Sequence, residues 1–492
     1  MNMLSRKSRL ILNTSSALAN QLVTVICGII LPRLYITSYG SEVNGLLASI
    51  AQFVSIIAFL ELGVGAVVQA SLYKPLAKKD IQEISAIVVS SNRFFRKIGS
   101  LLLIYSFALF FIYPLFINPS YPFFYSSSLI AIIALGSFVQ YYFGITYQLL
   151  LNADQLAFVS LFTNIFTTIL NTAIVFSLVK LNQSIQVVKL VSSLIFLARP
   201  IVFQLVVRKR YSLNLKIKLE SDPIKQKWNG IAQHVAAVVL NGTDIIVLTL
   251  FSSNSIVSVY SVYFLVVSSI KNIVFSLSSG ILALFGNLLS NSEISKLNSI
   301  FHKYEWLMHT FVVLVFSITG ILIIPFIRVY TFGITDFNYI YPAFGILLTM
   351  AYSMYCLRLP YNQMVLAAGH FKETQNSAIS EALINVFISV ILVKNYGLIG
   401  VAVGTLCAMI YRTIYLAWYL SKNIIEREIK HFIKHLIIDI ISVVVMILAT
   451  RWIVLAEISF FAWVVMAIKI TLFCVCVSLV INLIFYPQLV TR

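Results

Sequence analysis

The sequence predicts an all-α integral membrane protein of about fourteen transmembrane helices: two six-helix lobes and an added C-terminal helix pair. Three observations carry this. Of the 492 residues, 60% are hydrophobic and only 11% are charged, with a mean hydropathy of +0.94, far from the balance of soluble domains. Apolar runs of about 20 residues or more, the length a helix needs to cross a hydrocarbon core of roughly 30 Å, recur along the whole chain between short polar segments. The ten-residue alternation of a membrane β-barrel is absent, which leaves helices as the way to satisfy every backbone donor and acceptor in lipid.

In order, the expected spans are 10–32, 43–70, 98–117, 123–150, 156–179, 184–207, 229–251, 256–289, 305–330, 338–368, 374–393, 397–420, 434–454 and 459–486. The first follows the basic start MNMLSRKSRLILNT and continues to Pro32 without a small-residue cleavage site, so it reads as a retained span. The sixth leads into the longest basic linker, RKRYSLNLKIKLESDPIKQK. This gives a first lobe at 1–207, a cytoplasmic linker at 208–228, a second lobe at 229–420, and an amphipathic connector with the final pair at 421–492. In the connector, Ile425, Ile429, Phe432, Ile433 and Leu436 share one helical face, and Glu426, Arg427, Lys430 and Lys434 the other, the pattern of an interfacial helix. His431 and His435 lie four apart there, without a third ligand to suggest a metal.

A formal net charge of +18 raises the question of nucleic acid, and its placement answers it. With the N-terminus inside, Lys and Arg crowd the cytoplasmic segments, such as Lys74, Lys78 and Lys79 or Arg208, Lys209 and Arg210. The outward ends hold only Arg33, Lys180, Arg328, Lys394 and Arg451. The positive-inside rule therefore accounts for the basic excess, puts both termini in the cytoplasm and leaves no need for a nucleic-acid partner. The cysteines, Cys27, Cys356, Cys407, Cys474 and Cys476, all fall within spans and form neither a disulfide framework nor a metal motif.

The second set of six spans echoes the first. Tyr147 to Lys180 covers the same distance as Tyr361 to Lys394, and at that offset Asn171 meets Asn385. Close to it, Arg199 pairs with Arg412 and Pro114 with Pro325. Repeated lobes of this kind place a substrate site near the bilayer midplane and alternate its access by rocking.

The segment YGSEVNGLLASIAQFVSIIAFLELGVGAVVQASLYKPLAKKD, from Tyr39 to Asp80, resembles the second-span region of bacterial polysaccharide (Wzx-like) flippases. These belong to the multidrug/oligosaccharidyl-lipid/polysaccharide exporter superfamily. The resemblance lies in Gly40, NGL at 44–46, ELGVG at 61–65 and the LYKPLA that follows. AAGHFKETQNSAISEALINVFISVILVKNYGLIGVAVGT, at 367–405, resembles the family's eleventh and twelfth spans. The resemblance implies a V-shaped pair of bundles around a polar cavity, and a flippase that carries polyprenyl-diphosphate-linked oligosaccharide units across the cytoplasmic membrane of a bacterium for surface polysaccharide, capsule or O-antigen-like. Membrane lipids and polysaccharide polymerase machinery are its implied surroundings.

Six basic residues fall inside spans: Lys189, Arg199, Lys271, Arg358, Arg412 and Lys469; the acids there are chiefly Glu61, Asp244 and Glu381. A central lysine or arginine costs about 2.5–3.5 kcal/mol on insertion, so these groups are expected to face a wet cavity or a partner. Lys271, within VVSSIKNIVFSLSSG, is the deepest, and Ser268 and Ser278 lie on its helical face. Two readings stand. Either the ammonium meets the substrate diphosphate, with Arg33, Arg358 and Arg412 adding contacts along the route, or it pairs with Asp244 or Glu61. Lys189 and Arg199 lie nearer helix ends, where they can snorkel.

An acidic constellation accompanies them. Ser377, Glu381 and Asn385 repeat every four residues, with Asp244 and Thr405 on neighbouring spans. Carboxylate, amide and hydroxyl oxygens suit Na⁺, and a carboxylate alone suits H⁺. Related lipid flippases of the superfamily place a cation site among the corresponding helices, so the resemblance implies a coupling ion here; the alternative reading of the same residues is an internal salt bridge or hydrogen-bond network. No other cofactor is expected. In span five, Asn164, Thr167, Thr168 and Asn171 recur at helical spacing; they suit sugar hydroxyls or helix–helix hydrogen bonds.

Other functions are weaker. A membrane-embedded glycan polymerase or ligase needs a sizeable outward loop, and every expected outward loop is short. The nucleotide-binding pattern GxxxxGK[ST] is missing, so the chain is not expected to be an enzyme that hydrolyses ATP. A multidrug exporter of the same superfamily, handling cationic drugs, would favour an acidic cavity over this basic one.

Overall fold

The computed structural model describes residues 6–57, 64–217, 231–278, 280–425 and 427–490, and its described residues form helices and no strand. Glu61 and the start of ELGVG, the linker from residue 218, Glu426 and Arg492 lie outside them. The chain divides into two units, Met1–Val238 and Val239–Arg492.

In the first unit the helices are α1 (Arg6–Tyr39), α2 (Ser41–Ser55), α3 (Val64–Lys78), α4 (Ile81–Ile112), α5 (Phe123–Val139), α6 (Ile145–Ala153), α7 (Ala157–Lys180), α8 (Ile185–Phe196) and α9 (Ala198–Arg210). A π-helical turn at Gln140–Gly144 joins α5 to α6, so one span is built of two pieces with a widened turn between them. α7 packs along α1, and Asn13 of α1 caps it: its side-chain oxygen accepts from the Phe158 backbone N–H at 2.8 Å. Beside that cap, Asp154 gathers Arg9, Arg210 and Tyr211, tying the ends of the first and sixth spans to the fourth.

The second unit holds most of α10 (Ile231–Phe251), then α11 (Asn254–Ser278), α12 (Ile281–Ser290), α13 (Ile294–Tyr330), α14 (Pro342–Leu357), α15 (Leu359–Ala367), α16 (Gln375–Tyr396), α17 (Leu398–Asn423), α18 (Lys430–Thr450), α19 (Phe460–Phe485) and the short α20 (Pro487–Val490). α14 and α15 form one span broken at Arg358, ahead of Pro360. This break matches the π turn of the first unit at the internal offset. The tightest pairing is α16 on α17. Gly400 and Gly404 permit it: a Cβ at Gly404 would lie 2.2 Å from Ser389 Oγ, and one at Gly400 would lie 2.6 Å from the Leu392 carbonyl. Small residues one turn apart are the usual device for bringing membrane helices into backbone contact.

Among the described residues, twelve helices are long and apolar enough to cross a membrane, against fourteen expected spans. The difference lies at 43–70, which is described only as α2 and α3 on either side of 58–63, and at 229–251, where the described apolar run is the shorter Gly242–Phe251. The connector also departs from expectation. α17 runs on to Asn423 and α18 starts at Lys430, so the described residues between them, 424–425 and 427–429, form a bend and not an interfacial helix. Arg427 turns inward from this bend to reach Glu305 of α13. An arginine with a buried carboxylate in reach gains more from that pair than from lying at the headgroups.

Candidate functional site

Two polar clusters occupy the interior of the second unit, and together they gather most of the residues singled out from the sequence. The first lies where α10, α11, α16 and α17 meet. Asp244 of α10 is 2% exposed, and its Oδ2 accepts the Tyr260 hydroxyl of α11 at 2.8 Å. Asn385 Nδ2 donates to Thr405 Oγ1 at 3.0 Å and reaches Asp244 Oδ1 at 3.5 Å. The backbone contact of α16 and α17 over Gly404 is what brings Asn385 and Thr405 face to face.

The hydrogens in this cluster do not suffice for its oxygens. Thr405 Oγ1 lies 3.0 and 2.9 Å from the two Asp244 oxygens and 3.1 Å from the Val401 carbonyl, yet it carries one hydrogen. Asn385 Oδ1 is buried and has no hydrogen-bond partner. A proton on Asp244 or a small cation among these oxygens would relieve such contacts. Carboxylate, hydroxyl and amide oxygens are the donors that Na⁺ takes. An Asn385 amide turned by half a rotation presents its oxygen to the same centre.

The second cluster lies at the α14–α15 break. Arg358 is paired with Glu381 through a very short Nη1–Oε1 contact, and Arg412 Nε stands 4.0 Å from the other Glu381 oxygen. Arg412 also donates to Ser377 Oγ at 2.8 Å and to the Thr374 carbonyl at 3.3 Å. Glu381, grouped with the coupling-ion residues from its four-residue spacing, thus serves as counter-ion to two arginines, while Asn385, one turn further on, joins Asp244.

Lys271 is half-buried on α11, with its ammonium 5.5 Å from the Tyr352 ring centre and 5.6 Å from that of Tyr355. The Arg358 guanidinium covers the same Tyr355 ring at 4.0 Å. The Asp244 carboxylate, one of the partners considered for Lys271, is engaged by Tyr260, Asn385 and Thr405. Ser278, expected on the Lys271 face, is buried with its hydroxyl 3.7 Å from Met308 Sδ, so the polar stretch is shorter than the spacing suggests. Among the described residues Lys271, Arg358 and Arg412 bring three cations to the neighbourhood of the Glu381 carboxylate, and cation–π contact with tyrosines offsets part of the burial of Lys271 and Arg358.

Arg33, Asn164 and Asn171 belong to the first unit. Arg33 is half-exposed towards the end of α1. On α7, Asn164 is half-buried and Asn171 is buried, with its Oδ1 unpartnered. Arg199 does not snorkel; it donates to Thr167 Oγ1 at 2.8 Å and Thr168 Oγ1 at 3.1 Å. Lys189 lies 4.3 Å over the Tyr35 ring, and Lys469 is exposed. Sequence reasoning missed Tyr260, Tyr352 and Tyr355. Nothing in their spacing sets them apart from the many packing tyrosines of the chain, and only the tertiary fold brings them to the charges.

Solved structures of three transporters share this fold. The chain superposes on the lipid II flippase MurJ, in an inward closed conformation, with a TM-score of 0.71 at 17% identity, covering 98% of this chain and 100% of that one. An inward-facing multidrug resistance MATE family transporter of the MOP superfamily gives 0.59 at 12% identity over 81% of this chain and 95% of its own. A eukaryotic MATE transporter, AtDTX14, gives 0.58 at 12% identity over 84% and 93%. The chain matches no protein-family model and no curated protein. At these identities the likeness establishes a common fold.

Proposed function

We propose that this chain is a flippase of the MOP superfamily that carries polyprenyl-diphosphate-linked oligosaccharide units across the cytoplasmic membrane by alternating access. The observation that carries this reading is the gathering of cations at the α14–α15 break: Lys271 and Arg358 approach one tyrosine ring, Tyr355, and Arg412 stands 4.0 Å from Glu381, the carboxylate that also pairs with Arg358. A diphosphate is an anion that such a group of cations suits, and guanidinium groups bind its oxygens in pairs. Arg33 adds a cation in the first unit, and Asn164 and Asn171 are hydrogen-bonding groups for sugar hydroxyls. Asp244, Asn385 and Thr405 hold the coupling ion, Na⁺ or H⁺, in a cluster short of positive charge. The sequence resemblance to polysaccharide flippases and the fold shared with a lipid II flippase both support a lipid-linked cargo.

Replacing Lys271 with Gln tests the reading. Surface polysaccharide should be lost and lipid-linked units should accumulate on the cytoplasmic side at normal protein level; undiminished export removes Lys271 from the mechanism. Multidrug export is the second reading, favoured by the fold shared with MATE transporters. It predicts the opposite phenotype in a deletion strain: greater sensitivity to cationic drugs with surface polysaccharide intact.

A further inference from the structure

A second set of titratable groups, used by none of the steps above, lies where the final helix pair docks on α13. His302, Glu305 and His309 share one face of α13, and His435 and Asp439 share one face of α18. Glu305 is fully buried. Its two oxygens accept both Arg427 Nη groups, one at 2.7 Å, and Oε1 also accepts the Tyr361 hydroxyl of α15 at 2.7 Å. Burial alone lowers the pKa of Arg427, and the hydrogen bonds and charge of Glu305 more than reverse this, so the guanidinium keeps its proton.

His309 is 1% exposed and is held at both nitrogens: Nδ1 lies 2.6 Å from Asp439 Oδ2, and Nε2 lies 2.9 Å from Tyr361 Oη. The shorter Tyr361 contact assigns the roles. With its one hydrogen on Glu305 at 2.7 Å, the Tyr361 oxygen accepts from His309 Nε2–H at 2.9 Å. Nδ1 and the Asp439 oxygen can then stay 2.6 Å apart only with a proton between them, whether it is drawn on the ring or on the carboxyl. Without it, two lone pairs face each other in a buried site and the cluster carries a net negative charge.

We propose that His309 and Asp439 form a proton-binding site, separate from the Asp244 cluster, whose occupancy fastens α18, and α19 with it, to α13. Every neighbouring element contributes to its field. α13 brings Glu305, α15 brings Tyr361, the bend brings Arg427 and α18 brings His435. Tyr486, which follows α19, binds His435 Nδ1 at 2.6 Å, and the α19 face itself is neutral, with Ser478 and Asn482. A cavity of about 10 Å³ between these helices, lined by His309, Asp439 and Tyr486 among others, has room for one water and gives the proton a place from which to enter. A metal is the weaker occupant. His302, Glu305 and His435 offer ligand atoms within 4.8 Å of one another, but both Glu305 oxygens already face the Arg427 guanidinium.

The test is hydrogen exchange and thermal unfolding of the purified full chain in nanodiscs, from about pH 6 to pH 9. In the wild type, protection of α18 and α19, corrected for intrinsic exchange, should fall by about tenfold per pH unit once the proton is released, the effect of one linked proton. Asp439→Asn and His309→Gln, which replace the pair by a hydrogen bond without an exchangeable charge, should abolish this slope, and His435→Gln should keep it. Wild-type protection that is independent of pH overturns the proposal without recourse to any variant. So does a slope that survives both Asp439→Asn and His309→Gln.

Discussion

The fifth and sixth spans of the first unit and the eleventh and twelfth of the second meet the same requirement with different chemistry. Each places an arginine against the preceding helix. In the first unit Arg199 rests on two hydroxyls, Thr167 and Thr168; in the second Arg412 rests on Ser377 and, more distantly, on the carboxylate Glu381. At the internal offset Glu381 corresponds to Thr167 and Asn385 to Asn171. The asparagines diverge in the same way. Asn385 bonds to Thr405 beside Asp244, whereas the position matching Asp244 is the exposed Ile30. The duplicated frame is thus neutral at these positions in one copy and ionised in the other, so the backbone repeat does not by itself dictate where charge is kept.

This contrast can be broken from either side. The largest effect is expected at Glu381. Glu381→Gln leaves Arg358 and Arg412 buried without their anion and should cost about 3–5 kcal/mol, read as a loss of folded protein in detergent or in membrane yield. Asp244→Asn comes next: it should leave the fold in place and remove stabilisation by Na⁺, or the response to a pH gradient, in a vesicle transport assay. Ile30→Asn, at the matching position of the first unit, should leave both unchanged. Gly404→Ala forces apart the helices that present Asn385 and Thr405 and should cost about 1–3 kcal/mol in unfolding while weakening ion dependence. The smallest effect belongs to Thr167→Val. It removes one neutral acceptor from Arg199 and should lower stability by about 1–2 kcal/mol in thermal unfolding.

Hydropathy made most of the architecture legible, because a lipid-facing helix has to be apolar along its length whatever it packs against. Chain ends of spans were less legible where charge pairs decide them. The run from Asn423 has the periodicity of an interfacial helix, but Arg427 is drawn to Glu305, some 120 residues earlier in the chain, and the helix breaks there. Individual site residues could be chosen, since an ionised group within a span needs a reason to be there. Their pairings could not: Glu381 has the spacing of an Asn385 partner and the position of an Arg358 partner, and only the break at Arg358 decides between them. The His302, Glu305 and His309 face was open to detection. Its spacing of three and four residues at the start of span nine is a helical stripe of titratable groups in an otherwise apolar stretch.

The Arg358–Glu381 pair gives the cationic region a resident competitor. On the proposed function, an incoming diphosphate would not meet a bare guanidinium; it would exchange with a carboxylate already bound there, and Glu381 would in turn fall back on Arg412. The strength with which such a phosphate is held would then be the difference between two anions at one arginine. A site arranged in this way can capture a strongly charged cargo and still release it, because the displaced carboxylate stays tethered beside the arginine it left.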